Sequence, residues 1–260
     1  MNRERFKLRM RKIGVFFKNL LFPPRCAACR EFMQKDIFDL CENPFCEKCR
    51  TKWEFEKLSA CPDCGLEMTI CNCSAPLLRK SSVEEFVKLV NYSSKSKSVG
   101  KTAILHIKRN KSTRVFNFFA EQLSYSARLK NNAYDKSSVL VAYVPRGESS
   151  RIKYGFDQSR ELALRLAKKL DVRCCALFTR NRKSKAEQKK LSLNERRENA
   201  KNMYAVNKSK LEFLDGVKCV FIVDDIITSG ASLYGCISAL KEHYTGKIIC
   251  VSIARTGKKK

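Results

Sequence analysis

Residues 217–232 read VKCVFIVDDIITSGAS. The apolar run 220–223 ends in two adjacent carboxylates, Asp224 and Asp225. Ile226 and Ile227 follow, and Thr228, Ser229, Gly230, Ala231 and Ser232 then open a helical pattern. Leu233, Ile237 and Leu240 continue it at i, i+4 and i+7, the stripe of a helix packed on one face. A β-branched run bounded by polar residues predicts the central strand of a parallel sheet. The turn after it sets hydroxyls, a glycine and backbone N–H groups at a helix N-terminus, where the dipole favours an anion. Carboxylates accept from hydroxyls and the turn suits a phosphate, so a sugar 5-phosphate meets both demands. Spacing alone equally allows a plain βα unit in which Thr228 and Ser232 cap the helix and the acids are solvated.

The chain has 260 residues, 44% hydrophobic and 30% charged, which is one to two globular domains with enough length for a sizeable core. No apolar run approaches the ~20 residues that span a bilayer. The apolar stretch 13–22 is broken by Lys18 and Asn19 and lacks a small-residue cleavage site, so it makes a poor signal peptide and the expectation is a cytoplasmic protein. Lys and Arg outnumber Asp and Glu by 53 to 26. A charge of +27 favours nucleic acid, anionic lipid or phosphorylated ligands, without choosing among them. The lysines are spread along the chain, so solvated surface explains many of them.

Cysteine placement is more selective. Cys26, Cys29, Cys41, Cys46, Cys49, Cys61, Cys64, Cys71 and Cys73 crowd one short segment of a chain with 14 cysteines. Paired cysteines in a cytosolic chain point to metal before disulfides. Each Cys-x-x-Cys is a tight turn that aims two thiolates at one ion, and two pairs close a tetrahedral structural zinc site. The predicted ligands are Cys26, Cys29, Cys46 and Cys49 in one site and Cys61, Cys64, Cys71 and Cys73 in a second, with Cys41 spare. Crossed pairing of 26/29 with 61/64 stays open, and thiolates of this kind also suit an iron–sulfur cluster. A closed shell of four cysteines leaves no open position, so the metal serves folding rather than catalysis.

Three regions follow. Residues 1–24 form a basic segment with Phe6, Met10, Ile13, Phe16, Phe17, Leu20 and Leu21 at helical spacing. This amphipathic helix either packs on the protein itself, lies on a membrane surface or meets nucleic acid. Residues 25–78 are the Cys-rich, zinc-ribbon region, and residues 79–260 the α/β domain. In the latter, strands are expected over 83–92, 139–144, 174–178, 217–223 and 248–254, with helices over 99–108, 115–129, 158–170 and 231–243. The run 139–144 stops at Pro145-Arg146-Gly147, at the sheet edge where α/β proteins bind ligands, and Arg146 is a candidate for pyrophosphate. His106 reads as structural, and Cys174, Cys175, Cys219, Cys236 and Cys250 as core residues. Residues 179–201 are strongly basic and form a solvated loop and helix, a nucleic-acid patch, or a flap supplying Arg180, Arg182, Lys185 and Gln188.

The run VDDIITSGAS resembles the phosphoribosyl-pyrophosphate (PRPP) motif of type I phosphoribosyltransferases. Taken with the FPPRC stretch at 22–26, the paired cysteines, GFDQSRELA at 155–163, and Arg180, Gln188, Arg196 and Asn199, the chain resembles the ComF family. These proteins are associated with competence and combine an N-terminal zinc finger with a phosphoribosyltransferase domain. The resemblance implies a parallel-sheet, type I phosphoribosyltransferase-like domain behind a small Cys-rich domain, Mg²⁺ entering with PRPP, and a role in DNA uptake with competence proteins. It leaves three activities open: phosphoribosyl transfer, a non-enzymatic adaptor that binds single-stranded DNA, and a PRPP-responsive regulator.

Overall fold

The computed structural model describes residues 20–33, 43–79, 81, 83, 85–92, 98–130, 135–181 and 193–257, with 10, 13, 16 and 17. The elements in chain order are α1 (Glu47–Leu58), β1 (Glu85–Asn91), α2 (Val99–Arg109), α3 (Thr113–Lys130), β2 (Val139–Tyr143), α4 (Glu148–Tyr154) and α5 (Gln158–Leu170). Then come β3 (Arg173–Cys175), β4 (Phe178–Arg180), α6 (Leu193–Met203), β5 (Tyr204–Val206), β6 (Cys219–Ile227), α7 (Ala231–Lys241) and β7 (Lys247–Arg255).

β1, β7, β6, β2 and β3 lie in that order in one sheet, and every neighbouring pair is parallel. Alternate residues of each strand face opposite sides, and both sides are covered. Val139, Val141, Phe221, Val223, Ile249 and Val251 join α2, α3 and α5 in one core. Leu140, Ala142, Val220, Ile222, Ile248 and Cys250 join α7 and the β4–β5 pair in the other. Burial on both faces explains why these strands read as unbroken apolar runs. The result is a three-layer α/β fold in which the five strands of the main sheet point their carboxyl ends toward one edge.

The Cys-rich segment is built onto this fold. Trp53 of α1 is fully buried against Phe118 and Phe119 of α3, with ring centroids 5.8 and 5.6 Å away. The Glu56 carboxylate accepts from the N–H groups of Val99 at 2.6 Å and Gly100 at 2.8 Å. A helix of the Cys-rich segment thus satisfies the orphan donors that open α2. Glu56→Ala is expected to lower stability by about 1–2 kcal/mol in urea denaturation at saturating zinc. A midpoint equal to wild type would show that water replaces this cap at no cost.

Several elements differ from the sequence reading. The motif strand runs four residues beyond Val223, because Ile226 and Ile227 continue the ladder opposite Ala254 and Arg255 of β7. Both acids therefore sit within the strand rather than after it. Residues 174–178 are two strands, not one: Cys175 pairs with Ala142 in the main sheet, whereas Phe178 pairs with Val206 in an antiparallel two-stranded sheet. Helix α7 stops at Lys241, and α1 and α4 are additional. Within the N-terminal segment, 10, 13, 16–17 and 20–21 are helical, and Phe17, Leu20, Leu21 and Phe22 are exposed. Among the described residues, no helix is long and apolar enough to cross a membrane.

Candidate functional site

The two carboxylates at the end of β6 have different surroundings. Asp225, 5% exposed, takes Arg146 Nη2 on Oδ2 at 2.5 Å, and Lys108 Nζ stands 3.8 Å from the same oxygen. Its Oδ1 accepts from the Ile226 N–H. Asp224 Oδ1 accepts from Ser159 Oγ at 2.9 Å and from the Asp225 N–H. Burial, and then the charge of Asp225, push the Asp224 carboxyl up to about 7, against the pull of Ser159 and Arg146.

That shift carries a stability consequence. The carboxyl is raised from a reference of 3.8, so between roughly pH 4 and 7 the folded protein holds a proton that the unfolded chain has lost. Stability therefore falls as pH rises through this window, and the loss is complete above it. Asp224→Asn should raise stability by about 1–3 kcal/mol at pH 8 and change little at pH 4. Thermal melts at the two pH values check this; an equal effect at both would rule out ionisation as the cause.

Beyond the acids, Thr228 is exposed and Gly230 caps α7 with φ at 83°, the left-handed region that only glycine enters without strain. The Gly230 position is also crowded, since a Cβ there would come within 2.8 Å of Leu78 and 3.1 Å of Ala75. Leu77 donates its N–H to the Ser229 carbonyl at 3.2 Å. The segment that leaves the second cysteine group thus rests directly on the turn at 228–232.

Residues 157–159 tie the site together, a role the sequence reading missed. Asp157 Oδ2 accepts from the Arg146 N–H at 2.9 Å, holding the 145–147 loop, while its Oδ1 caps α5 through Arg160. Gln158 Nε2 donates to the Lys108 carbonyl at 3.0 Å, and Ser159 holds Asp224. Arg180 also reaches this end of the sheet: a Cβ on Gly147 would lie 3.1 Å from its Nη1, and its guanidinium stands 5.8 Å from the Tyr204 ring. Arg182, Lys185 and Gln188 lie outside the described residues, as does Cys41.

The cysteines form two groups on the pairing by proximity, 26/29/46/49 and 61/64/71/73, with the four Sγ atoms of each within 4.8 Å of one another. Cys29 and Cys46 Sγ are 3.7 Å apart, and Cys64 and Cys71 Sγ 3.4 Å. Zn–S bonds of about 2.3 Å set tetrahedral edges of about 3.8 Å, so both groups fit one zinc-sized ion. Each first pair turns through a left-handed residue, Arg30 at φ 69° and Gly65 at φ 76°. Burial pushes Cys29 up to about 11 and Cys73 to about 12, reinforced by the neighbouring cysteine thiols; such crowding calls for a cation. Burial also raises Cys26, but N–H donors from Cys46, Cys29 and Ala28 bring it down to about 7.

The second group has a further sign of charge. Lys88 and Arg255 are fully buried, and both reach its backbone: Lys88 donates to the Cys71 carbonyl, and Arg255 to the carbonyls of Cys73 and Ser74 and to Asp63. Four thiolates on a divalent ion leave a net double negative charge, which Lys88 offsets in part, while Arg255 is paired with Asp63. His106, at the other group, meets Arg30 Nη1 through Nδ1 at 2.7 Å, and burial pushes its pKa down, in keeping with a neutral structural side chain.

Compared with known proteins, residues 157–260 match the family described as phosphoribosyl transferase domain. No curated protein matches the chain. The match, the parallel sheet and the cysteine groups define a phosphoribosyltransferase-type α/β fold with a Cys-rich N-terminal region.

Proposed function

We propose that the protein binds PRPP with Mg²⁺ at the carboxyl end of β6 and transfers the phosphoribosyl group to an acceptor nucleophile. The observation that carries this reading is the junction at 224–232, where paired carboxylates lead into a glycine-opened helix within the stretch matched to the phosphoribosyl transferase domain. In this reading Asp224 and Asp225 accept from the ribose hydroxyls, and Thr228, Ser229, Gly230, Ala231 and Ser232 surround the 5-phosphate. The diphosphate lies over Pro145, Arg146 and Gly147, with Arg180 alongside. Attack at the anomeric carbon breaks its bond to the diphosphate, which leaves as pyrophosphate. The carbon passes through an oxocarbenium-like state that the nearby carboxylates stabilise electrostatically. Asp224 and Asp225 are the residues that would hold Mg²⁺, which would supply charge neutralisation for the leaving group.

The Arg146–Asp225 ion pair gives this binding a defined exchange. The diphosphate draws Arg146 away as ribose hydroxyls take over the carboxylate, so neither group is left unpaired. Millimolar Mg–PRPP is expected to raise the thermal midpoint by an amount that grows with the logarithm of ligand concentration. Ribose 5-phosphate should raise it less. No shift with either ligand would overturn the reading.

A second reading, handling of single-stranded DNA during uptake with competence proteins, is favoured by a separate surface. Arg25 stacks 4.0 Å above the exposed ring of Phe32 beside the first cysteine group, an aromatic and cationic pairing of the kind that receives unstacked bases. Affinity for oligo(dT) is then expected to fall steeply with salt, with a log–log slope of about −0.7 per phosphate neutralised. A flat salt response would remove this reading while leaving PRPP binding untouched.

A further inference from the structure

We propose that Lys108 is a further substrate-contacting residue, its ammonium meeting the diphosphate of PRPP beside Arg146, and that Gln158 is the positioning residue that holds it there. The inference rests on the PRPP reading and adds to it a residue from well outside the matched stretch.

Charge and geometry carry it. Two cations, Arg146 and Lys108, converge on a single oxygen of Asp225. One carboxylate balances one of them. The other acid, Asp224, is held by Ser159 and by a backbone N–H rather than by either cation. Arg180 adds a third cation against Gly147. Arg146, Lys108 and Arg180 thus gather at the open end of β6, and three convergent cations are what an anion with several oxygens engages. Lys108 is not spent on Asp225: at 3.8 Å it is beyond a hydrogen bond, and its side chain is 31% exposed. It can turn to a ligand without leaving a partner unsatisfied.

Gln158 explains why that ammonium is at the site at all. The Lys108 carbonyl belongs to the last turn of α2, where carbonyls lack partners within the helix. Gln158, fully buried at the start of α5, donates to it. Its neighbours Asp157 and Ser159 hold the Arg146 loop and Asp224. Three consecutive side chains therefore fix the end of α2, the 145–147 loop and the end of β6 against one another. A helix end with only a packing role has no reason to share this bracket with the two elements of the site.

The test uses full-length, zinc-loaded protein and three probes: Mg–PRPP, Mg–pyrophosphate and ribose 5-phosphate. Lys108→Ala should weaken PRPP and pyrophosphate binding by at least ~10-fold and leave ribose 5-phosphate within about 2-fold, with an unchanged thermal midpoint. Lys108→Arg should recover most of the PRPP affinity, since it keeps the charge. Gln158→Leu should show the same ligand-selective loss in smaller measure. Wild-type affinity for PRPP in Lys108→Ala, or an equal loss for all three probes, would overturn the inference alone. A wild type that binds none of the probes would overturn the PRPP reading itself.

Discussion

Asp225→Asn is expected to cost at least ~100-fold in PRPP affinity and to stop pyrophosphate release, with the fold intact. The carboxylate is placed to accept from sugar hydroxyls, and each charge-assisted hydrogen bond is worth about 1.5–3 kcal/mol, or roughly tenfold to a hundredfold in binding. A second effect opposes the first, because cations freed of their counter-charge favour an anionic ligand. Asp225 neutralises Arg146 at 2.5 Å and stands near Lys108, so removing its charge leaves two cations facing each other before any ligand arrives. Arg146 is partly exposed and can turn to water, which limits the stability cost. Circular dichroism and a thermal melt close to wild type, together with lost turnover, match the account. Retained turnover would remove Asp225 from the chemistry.

Removal of metal should have the largest effect on stability. Binding of a structural zinc is worth on the order of 10 kcal/mol in small Cys-rich domains, comparable to the whole stability of a typical fold. The two groups are expected to respond differently. Cys26 and Cys49 are buried in the same core as Trp53 and the α3 aromatics, so loss of that ion should lower the cooperative melt of the entire protein. Cys61 and Cys71 form a separate small cluster with Met68, joined to the sheet through Lys88 and Arg255. Loss of the second ion leaves Lys88 buried without the charge it offsets, while Arg255 keeps Asp63. It also frees residues 75–78, the support beneath Ser229 and Gly230. Cys71→Ser should therefore weaken PRPP binding by more than ~10-fold even where most of the fold persists, and Cys29→Ser should act chiefly on the melt. Metal content measured alongside ligand titration checks this. A Cys71→Ser protein that has lost one ion yet binds PRPP normally would show that the second group does not support the turn.

Much of the fold was legible because local signals agreed with tertiary ones. Helix α5 occupies the predicted residues, since Asp157 caps its start, Asp171 turns it off in a left-handed conformation, and its leucine stripe faces the core. Strand β2 falls within the predicted run because both of its faces are buried. The cysteine pairs announced themselves by spacing, and proximity then separated two groupings that spacing had left open. What stayed hidden depends on partners distant in sequence. The stretch 174–178 reads as one apolar strand, and only the pairing of Phe178 with Val206 moves its second half to another sheet. Ile226 and Ile227 extend β6 because β7 is long enough to pair with them. Lys108 looks like any lysine in the last turn of a helix, and nothing local marks the carbonyl that Gln158 clamps. The stretch GFDQS stood out only by resemblance; its three contacts to Arg146, Lys108 and Asp224 supply the physical reason for its residue types.

The most direct test of the central claim is calorimetric titration of Mg–PRPP into zinc-loaded wild type and into the Asp224→Asn/Asp225→Asn double variant. The account predicts saturable binding to the wild type and none measurable in the folded double variant. Equal binding by both proteins, or no binding to a wild type that is folded and fully metallated, would contradict it.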